Sequence, residues 1–153
     1  MKRYTPYIII SLILFSGINK LFAQQESTIT GVIWSRMKTD NKMYYVTGFL
    51  NGLEKAENIL DINVRIQEKN EFAFTEPFYI QRTRERINNY IPDDNNRINL
   101  VIDLVDIFYS DPNNLKISFE AAVRIALARN AGDIEKSDMW LQEARRKIAY
   151  KGY

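Results

Sequence analysis

Two acidic residues, Asp103 and Asp106, come closest in this sequence to a pattern that could do chemistry. They are three residues apart, so on a helix their carboxylates are neighbours. Paired carboxylates are what glycan-cleaving enzymes use, and this pair suggests an enzyme that acts on a cell-wall glycan. A single local pair is a weak motif. The alternative is that both acids are structural and are satisfied by Arg124, by Arg97 or by a neighbouring helix amino terminus.

The composition excludes most other kinds of active site. The chain has no Cys, which rules out disulfides, thiolate nucleophiles and Cys-ligated zinc. It has no His, which rules out triads with a His base and the commonest zinc sites. Gly48 and Gly52 lie inside a helical pattern and not in a phosphate-binding turn. We therefore predict no catalytic residue, no metal site and no cofactor.

The amino terminus has the pattern of a secretory signal peptide over residues 1–23. Lys2 and Arg3 precede an apolar run over residues 8–18, and Ala23 is a small residue suited to the cleavage position. The alternative, an uncleaved membrane anchor, needs roughly 20 apolar residues, which is longer than this run. We therefore expect cleavage after Ala23, a periplasmic or secreted product without membrane attachment, and one domain over residues 24–153.

Removal of this leader changes the charge balance. The whole chain has 21 basic and 19 acidic residues. Three of the basic residues lie in the leader, so the expected product has 18 basic residues against 19 acidic ones. A nearly neutral chain gives no support for nucleic-acid binding.

Both aspartates lie in the most apolar helix-length segment outside the leader, residues 100–109. Asp103 and Asp106 share one narrow strip, and apolar residues that include Phe108 and Tyr109 cover most of the rest. A helix that is apolar nearly all round belongs inside a bundle. We predict an all-α fold, a compact bundle of about five to six helices around a central helix near residues 99–110. The other predicted helices cover residues 29–37, 41–66, 77–89, 119–130 (capped by Ser118) and 134–150 (capped by Asp133), with Gly132 as a cap residue between the last two.

Tyr45, Gly48, Gly52 and Ala56 form one stripe on the predicted helix over residues 41–66. Each glycine in a helix interior costs roughly 1 kcal/mol relative to alanine, so a pair on one face suggests a structural reason. We predict that they allow another helix or an aromatic ring to pack closely inside the domain. A membrane-type small-residue contact is the alternative, but charged residues follow at once from Glu54.

Two irregular segments offer candidate contacts for a protein partner. Phe72 and Phe74 lie in a polar loop, which they either pin to the body or present as a binding loop. Asp111, Asn113 and Asn114 form a turn after the central helix. Apolar loop residues can anchor an interface, whereas the helix stripes are committed to the core.

Two stretches resemble a known kind of protein. Residues 31–53 contain Trp34, then Met37 and Lys42, then the pattern Tyr-Val-x-Gly-Phe-Leu-x-Gly from Tyr45 to Gly52. Residues 98–146 contain LVDIFYSDPNN, an alanine-rich slim helix, Ala131-Gly132 and a closing helix. Both stretches look like uncharacterised relatives of the helical periplasmic immunity proteins of the Rap/Tai kind.

The resemblance implies an α-helical periplasmic domain, often a homodimer, in which residues such as Trp34 are structural. The immunity proteins of this kind neutralise peptidoglycan amidases that type VI secretion delivers. The expected partner is accordingly another protein, such as a secreted wall-degrading toxin. Three roles remain open at this point: a protein-binding domain, a carboxylate-dependent wall enzyme and a structural envelope protein.

Overall fold

The computed structural model describes residues 28–151, and this part of the chain is an all-α bundle, as the sequence predicts. The proposed leader, residues 1–23, lies outside the described residues. The described part contains six α-helices and a short 3₁₀ turn. They are α1 (Gly31–Trp34), α2 (Thr39–Asn70), α3 (Phe78–Asn88), α4 (Arg97–Tyr109), the 3₁₀ turn Pro112–Asn114, α5 (Phe119–Asn130) and α6 (Ile134–Lys151).

Helix α4 has the central position that its apolar sequence predicts. It packs on α2 at one side and on α5 at the other, while α6 covers α5 and α3 packs on α2. One face of α4 stays open, because Asp103, Asp106 and Ile107 are exposed. The side chains that fill the core come mainly from α1, the first half of α2, α4 and α5: Trp34, Val46, Leu50, Val101, Ile102, Val105, Tyr109, Phe119, Ala122 and Val123.

The centre of the core is an aromatic cluster around Phe119. Its ring lies 5.1 Å from Trp34, 4.9 Å from Tyr45 and 5.2 Å from Phe49, measured between ring centroids. The contacts with Tyr45 and Phe49 are edge-to-face, a geometry that aromatic quadrupoles favour. The amide of Phe119 also donates to the carbonyl of Ile29 at 2.7 Å. This cluster therefore joins α1 and α2 to the start of α5.

The predicted helix ends around α5 and α6 are confirmed. The Ser118 hydroxyl accepts a hydrogen bond from the amide of Ala121, and Asp133 accepts one from the amide of Lys136. Gly132 has a φ of 84°, the left-handed conformation that favours glycine after a helix. By contrast, α4 begins at Arg97, slightly before the predicted start near residue 99, and Asn96 precedes its first turn.

The prediction that Gly48 and Gly52 allow close packing is wrong. Both are exposed, and a Cβ atom at either position would meet no other heavy atom within 4 Å. The buried side of α2 is instead the stripe that carries Val46, Leu50 and Val64, and the two glycines lie away from it.

The glycine that does permit a close approach is Gly31, at the start of α1. A Cβ atom there would lie 2.4 Å from Cδ1 of Tyr109 and 2.9 Å from Cα of Leu115. Close packing at a glycine therefore occurs between α1 and the end of α4, and not along α2.

Candidate interaction surface

The second half of α2 and all of α3 form a two-helix extension, residues 52–88, which we call the arm. Val64 is its one buried residue, and α3 contains none. Leu60, Phe74 and Ile80 are half-buried where the two helices meet, and with Val64 they line a groove of about 580 Å³. The arm thus has only a thin apolar interior of its own.

Arg84 connects the parts of the arm. Its guanidinium donates to Asp61 on α2 at 2.8 Å and to Glu76 in the loop at 2.8 Å. The hydrogen bond to Asp61 is the main cause that raises the pKa of Arg84 above its usual value. All three side chains are partly exposed, so the ion pairs fix the geometry of the arm more than they add stability.

The arm leaves six large apolar side chains open to solvent over residues 59–79. Phe72 is fully exposed, with a relative accessibility of 110%, whereas Phe74 is half-buried in the groove. Of the two loop residues predicted as contacts, one therefore pins the loop and the other projects from it. The remaining five are Ile59 (48%), Ile62 (55%), Ile66 (49%), Phe78 (69%) and Tyr79 (68%). Apolar surface gathered in one region marks an interaction site more often than scattered single residues do.

The three isoleucines belong to a regular row on the outer side of α2. Together with their flanking residues, they are separated alternately by three and by four positions along the helix. This is the spacing of residues on a helix that packs against another helix. We call this row the outer seam, and it consists of Gly52, Lys55, Ile59, Ile62, Ile66 and Lys69. The isoleucine spacing is visible in the sequence, but the glycine stripe of the same helix suggested a different packing face, so this row was not predicted.

The second predicted contact, the turn after α4, is largely tied to the body. Asp111 caps the 3₁₀ turn by accepting from the amide of Asn113, and it pairs with Arg145 of α6 at 2.8 Å. Asn114 is buried, donates to the carbonyl of Phe108 at 2.9 Å and accepts from Arg145. The hydrogen bond from the Asn113 amide is the main cause that lowers the pKa of Asp111. Of the three predicted contact residues only Asn113 is exposed, so this turn mainly secures α6 to α4.

The two predicted contact segments do not form one site. Phe74 lines the groove of the arm. Asp111 and Asn114 line a different, mostly apolar groove of about 380 Å³ with Phe108 and Leu141.

The two aspartates of α4 have different surroundings. Asp106 accepts a hydrogen bond from the indole nitrogen of Trp34 at 2.6 Å and pairs with Lys42 at 2.6 Å. Asp103 is exposed, and its carboxylate forms no hydrogen bond or salt bridge with residues 28–151. The prediction that Arg97 or Arg124 satisfies these aspartates is wrong. Arg97 pairs with Glu54, and the guanidinium of Arg124 stacks on the ring of Trp140 at 4.3 Å. The arginines are committed elsewhere, and Asp106 instead fixes the position of Trp34.

Residues 28–151 contain no cluster of three or more acidic, His or Cys side chains placed to hold a metal ion. None of the helices in that range combines the length and apolar character needed to cross a membrane.

Comparison of the chain with protein-family models, with characterised proteins and with solved structures found no match.

Proposed function

We propose that this chain is an exported, non-catalytic helical domain that works by binding another protein. The observation that carries the proposal is the exposed apolar surface of the arm, above all Phe72. An aromatic side chain without any packing role is costly to leave in water and is a common anchor of interfaces. Arg84 holds the loop that bears Phe72 to α2 through Asp61 and Glu76, so the arm presents this surface in a defined position.

The resemblance of residues 31–53 and 98–146 to periplasmic immunity proteins suggests the kind of partner. In this proposal the partner is a toxin that degrades the cell wall, and the chain blocks it in the periplasm. The signal-peptide pattern of residues 1–23 supports the same compartment.

Immunity proteins are encoded beside their toxins, so the test starts from the neighbouring gene. The product of the neighbouring gene is directed to the periplasm of host cells. The present chain, as its full precursor, is produced in the same cells. We expect the precursor to restore growth, a precursor without residues 2–23 to fail, and the periplasmic product to begin at Gln24 by intact mass.

A matched pair of variants tests the contact surface in the same cells. Phe72→Ser removes the fully exposed ring of the arm, and Tyr150→Ser removes a largely exposed ring of α6. Neither change removes core packing. We expect Phe72→Ser to weaken the complex at least tenfold, as loss of an interface anchor does, and Tyr150→Ser to leave it unchanged. Equal binding by both variants would rule out the arm as the contact surface.

The enzyme alternative depends on Asp103 and Asp106. Asp106 is engaged by Trp34 and Lys42, which favours a structural role for it. The purified protein is assayed on peptidoglycan beside the double variant Asp103→Asn/Asp106→Asn, and we expect no wall turnover from either. Turnover by the wild type that is lost in a folded double variant would replace the binding proposal.

A further inference from the structure

We infer that the outer seam of α2 binds an amphipathic helix of the partner protein, and that this helix carries acidic residues beside its apolar ones. The inference rests on the proposed function and adds the chemistry of the partner. It depends on three features of α2: the spacing of the seam, the distribution of charge around the helix, and the poor fit of the seam to a second copy of itself.

The seam has the geometry of a helix-packing surface. Its residues alternate by three and four positions from Gly52 to Lys69, and such a row faces a single helix laid along it. At 1.5 Å per residue the row is about 25 Å long, which corresponds to roughly five turns of the partner. Ile59, Ile62 and Ile66 occupy its middle, each about half exposed. No described element covers them.

The charges on α2 are separated between the seam and the opposite side. The seam and the residues that border it carry three cations, Lys55, Arg65 and Lys69, and no acidic residue; the other border positions are Ala56, Asn58, Asn63 and Asn70. The acids of this part of α2 are Glu54, Glu57, Asp61 and Glu68, which point away from the seam on the 3.6-residue repeat.

Two of these four acids are already paired with cations outside α2. Glu54 is paired with Arg97, and Asp61 is paired with Arg84. The seam is therefore an apolar strip with basic ends and a basic border. A partner helix that leaves these cations unopposed loses affinity, whereas one with carboxylates beside its apolar row is complementary in charge.

A second copy of this chain does not meet these requirements. In a parallel pair of α2 helices the isoleucines meet, but Lys55 and Lys69 each face their own counterpart. In an antiparallel pair, the register that brings the isoleucines together sets Lys55 opposite Lys69, and a register shifted by one turn places Ile66 opposite Lys55 or Ile59 opposite Lys69. Either arrangement sets like charges together or buries a lysine in the apolar row, so the seam discriminates against self-association.

The test uses two synthetic helical peptides as probes. Both are 21 residues long in design, with leucine at the apolar positions of three heptads. The acidic peptide has glutamate at the bordering positions, and the basic peptide has lysine there. Binding to the purified exported protein is measured by fluorescence anisotropy at two salt concentrations. We expect the acidic peptide to bind at least tenfold more tightly than the basic one, and less tightly at high salt.

Charge reversal supplies the decisive comparison. The variant Lys55→Glu/Arg65→Glu/Lys69→Glu should prefer the basic peptide. A control variant, Arg36→Glu/Lys116→Glu/Arg146→Glu, makes the same change in net charge at exposed residues outside the seam. It should keep the preference of the wild type. Ile62→Asp should reduce the binding of both peptides.

Three outcomes would overturn the inference. Equal binding of the two peptides, or no binding of either, would show that the seam does not select an acidic helix. A wild-type dimer in sedimentation analysis that Ile62→Asp converts to a monomer would identify a second copy as the occupant. These readouts are separate from protection that depends on Phe72, so a protein that protects cells through Phe72 but ignores both peptides refutes this inference alone.

Discussion

The close contact at Gly31 makes its replacement by alanine the sharpest test of the packing. The added Cβ atom would lie 2.4 Å from Cδ1 of Tyr109 and 2.9 Å from Cα of Leu115. Neither neighbour can move away easily. The Tyr109 ring is buried, its hydroxyl donates to the carbonyl of Ile117 at 3.0 Å, and burial raises the pKa of that hydroxyl above its usual value. The Leu115 atom belongs to the backbone.

The size of the effect follows from two opposing contributions. Overpacking in a well-packed core costs roughly 1 to 3 kcal/mol, and a contact with backbone falls in the upper part of that range. Alanine regains about 0.5 kcal/mol because it restricts the unfolded chain. We therefore expect Gly31→Ala to lower the free energy of unfolding by about 2 kcal/mol. For a domain of this size, that corresponds to a fall in Tm of roughly 6 to 10 °C.

Thermal melts of Gly31→Ala, Gly48→Ala and Gly52→Ala test this reasoning together. The two α2 glycines have open space around them, so alanine at either should raise stability by about 0.5 to 1 kcal/mol. A Gly31→Ala protein that melts at or above the wild type would refute the close approach of α1 to Tyr109. A clear loss of stability in Gly52→Ala would restore the packing role that its spacing suggested.

Two further predictions concern acidic residues. Asp106→Ala should cost about 1 to 2 kcal/mol in chemical unfolding, because the buried Trp34 loses the acceptor of its indole hydrogen bond. Asp103→Ala, its matched control, should change stability by less than about 0.5 kcal/mol. The folded-state pKa of Asp111 is lowered from 3.8, so its carboxylate contributes stability that is complete above the unfolded pKa and is lost as the pH falls through the folded one. The stability difference between wild type and Asp111→Asn should thus be constant above about pH 5 and shrink below 3.8, and a difference independent of pH would contradict the assigned contacts.

The fold could be predicted where local chemistry decides the structure. Ser118, Gly132 and Asp133 have side chains or conformations that end or begin a helix, and the structure has helix boundaries at each of them. The close-packing glycine could not be predicted in the same way. A glycine has no side chain to reveal which face is buried, and the contact at Gly31 depends on Tyr109, which is distant in sequence.

The candidate site was predictable only in part. The sequence identified Phe72 and left open whether it was pinned or exposed, since exposure depends on how α3 folds back onto α2. The isoleucines at 59, 62 and 66 carry a clear helical spacing. The stripe that faces α3 has a similar spacing, however, and periodicity alone does not tell which of two stripes is covered. That distinction depends on tertiary packing.

The length of α2 has a consequence for local unfolding. It is a single helix of 32 residues, but its first half contains Val46 and Leu50 in the main core, and its second half has only Val64 buried. Amides near Leu50 should exchange hydrogen only through global unfolding, whereas those beyond Val64 should exchange through local opening of the arm together with α3. One helix thus spans two cooperative units, and a partner on the arm would slow exchange mainly in the second.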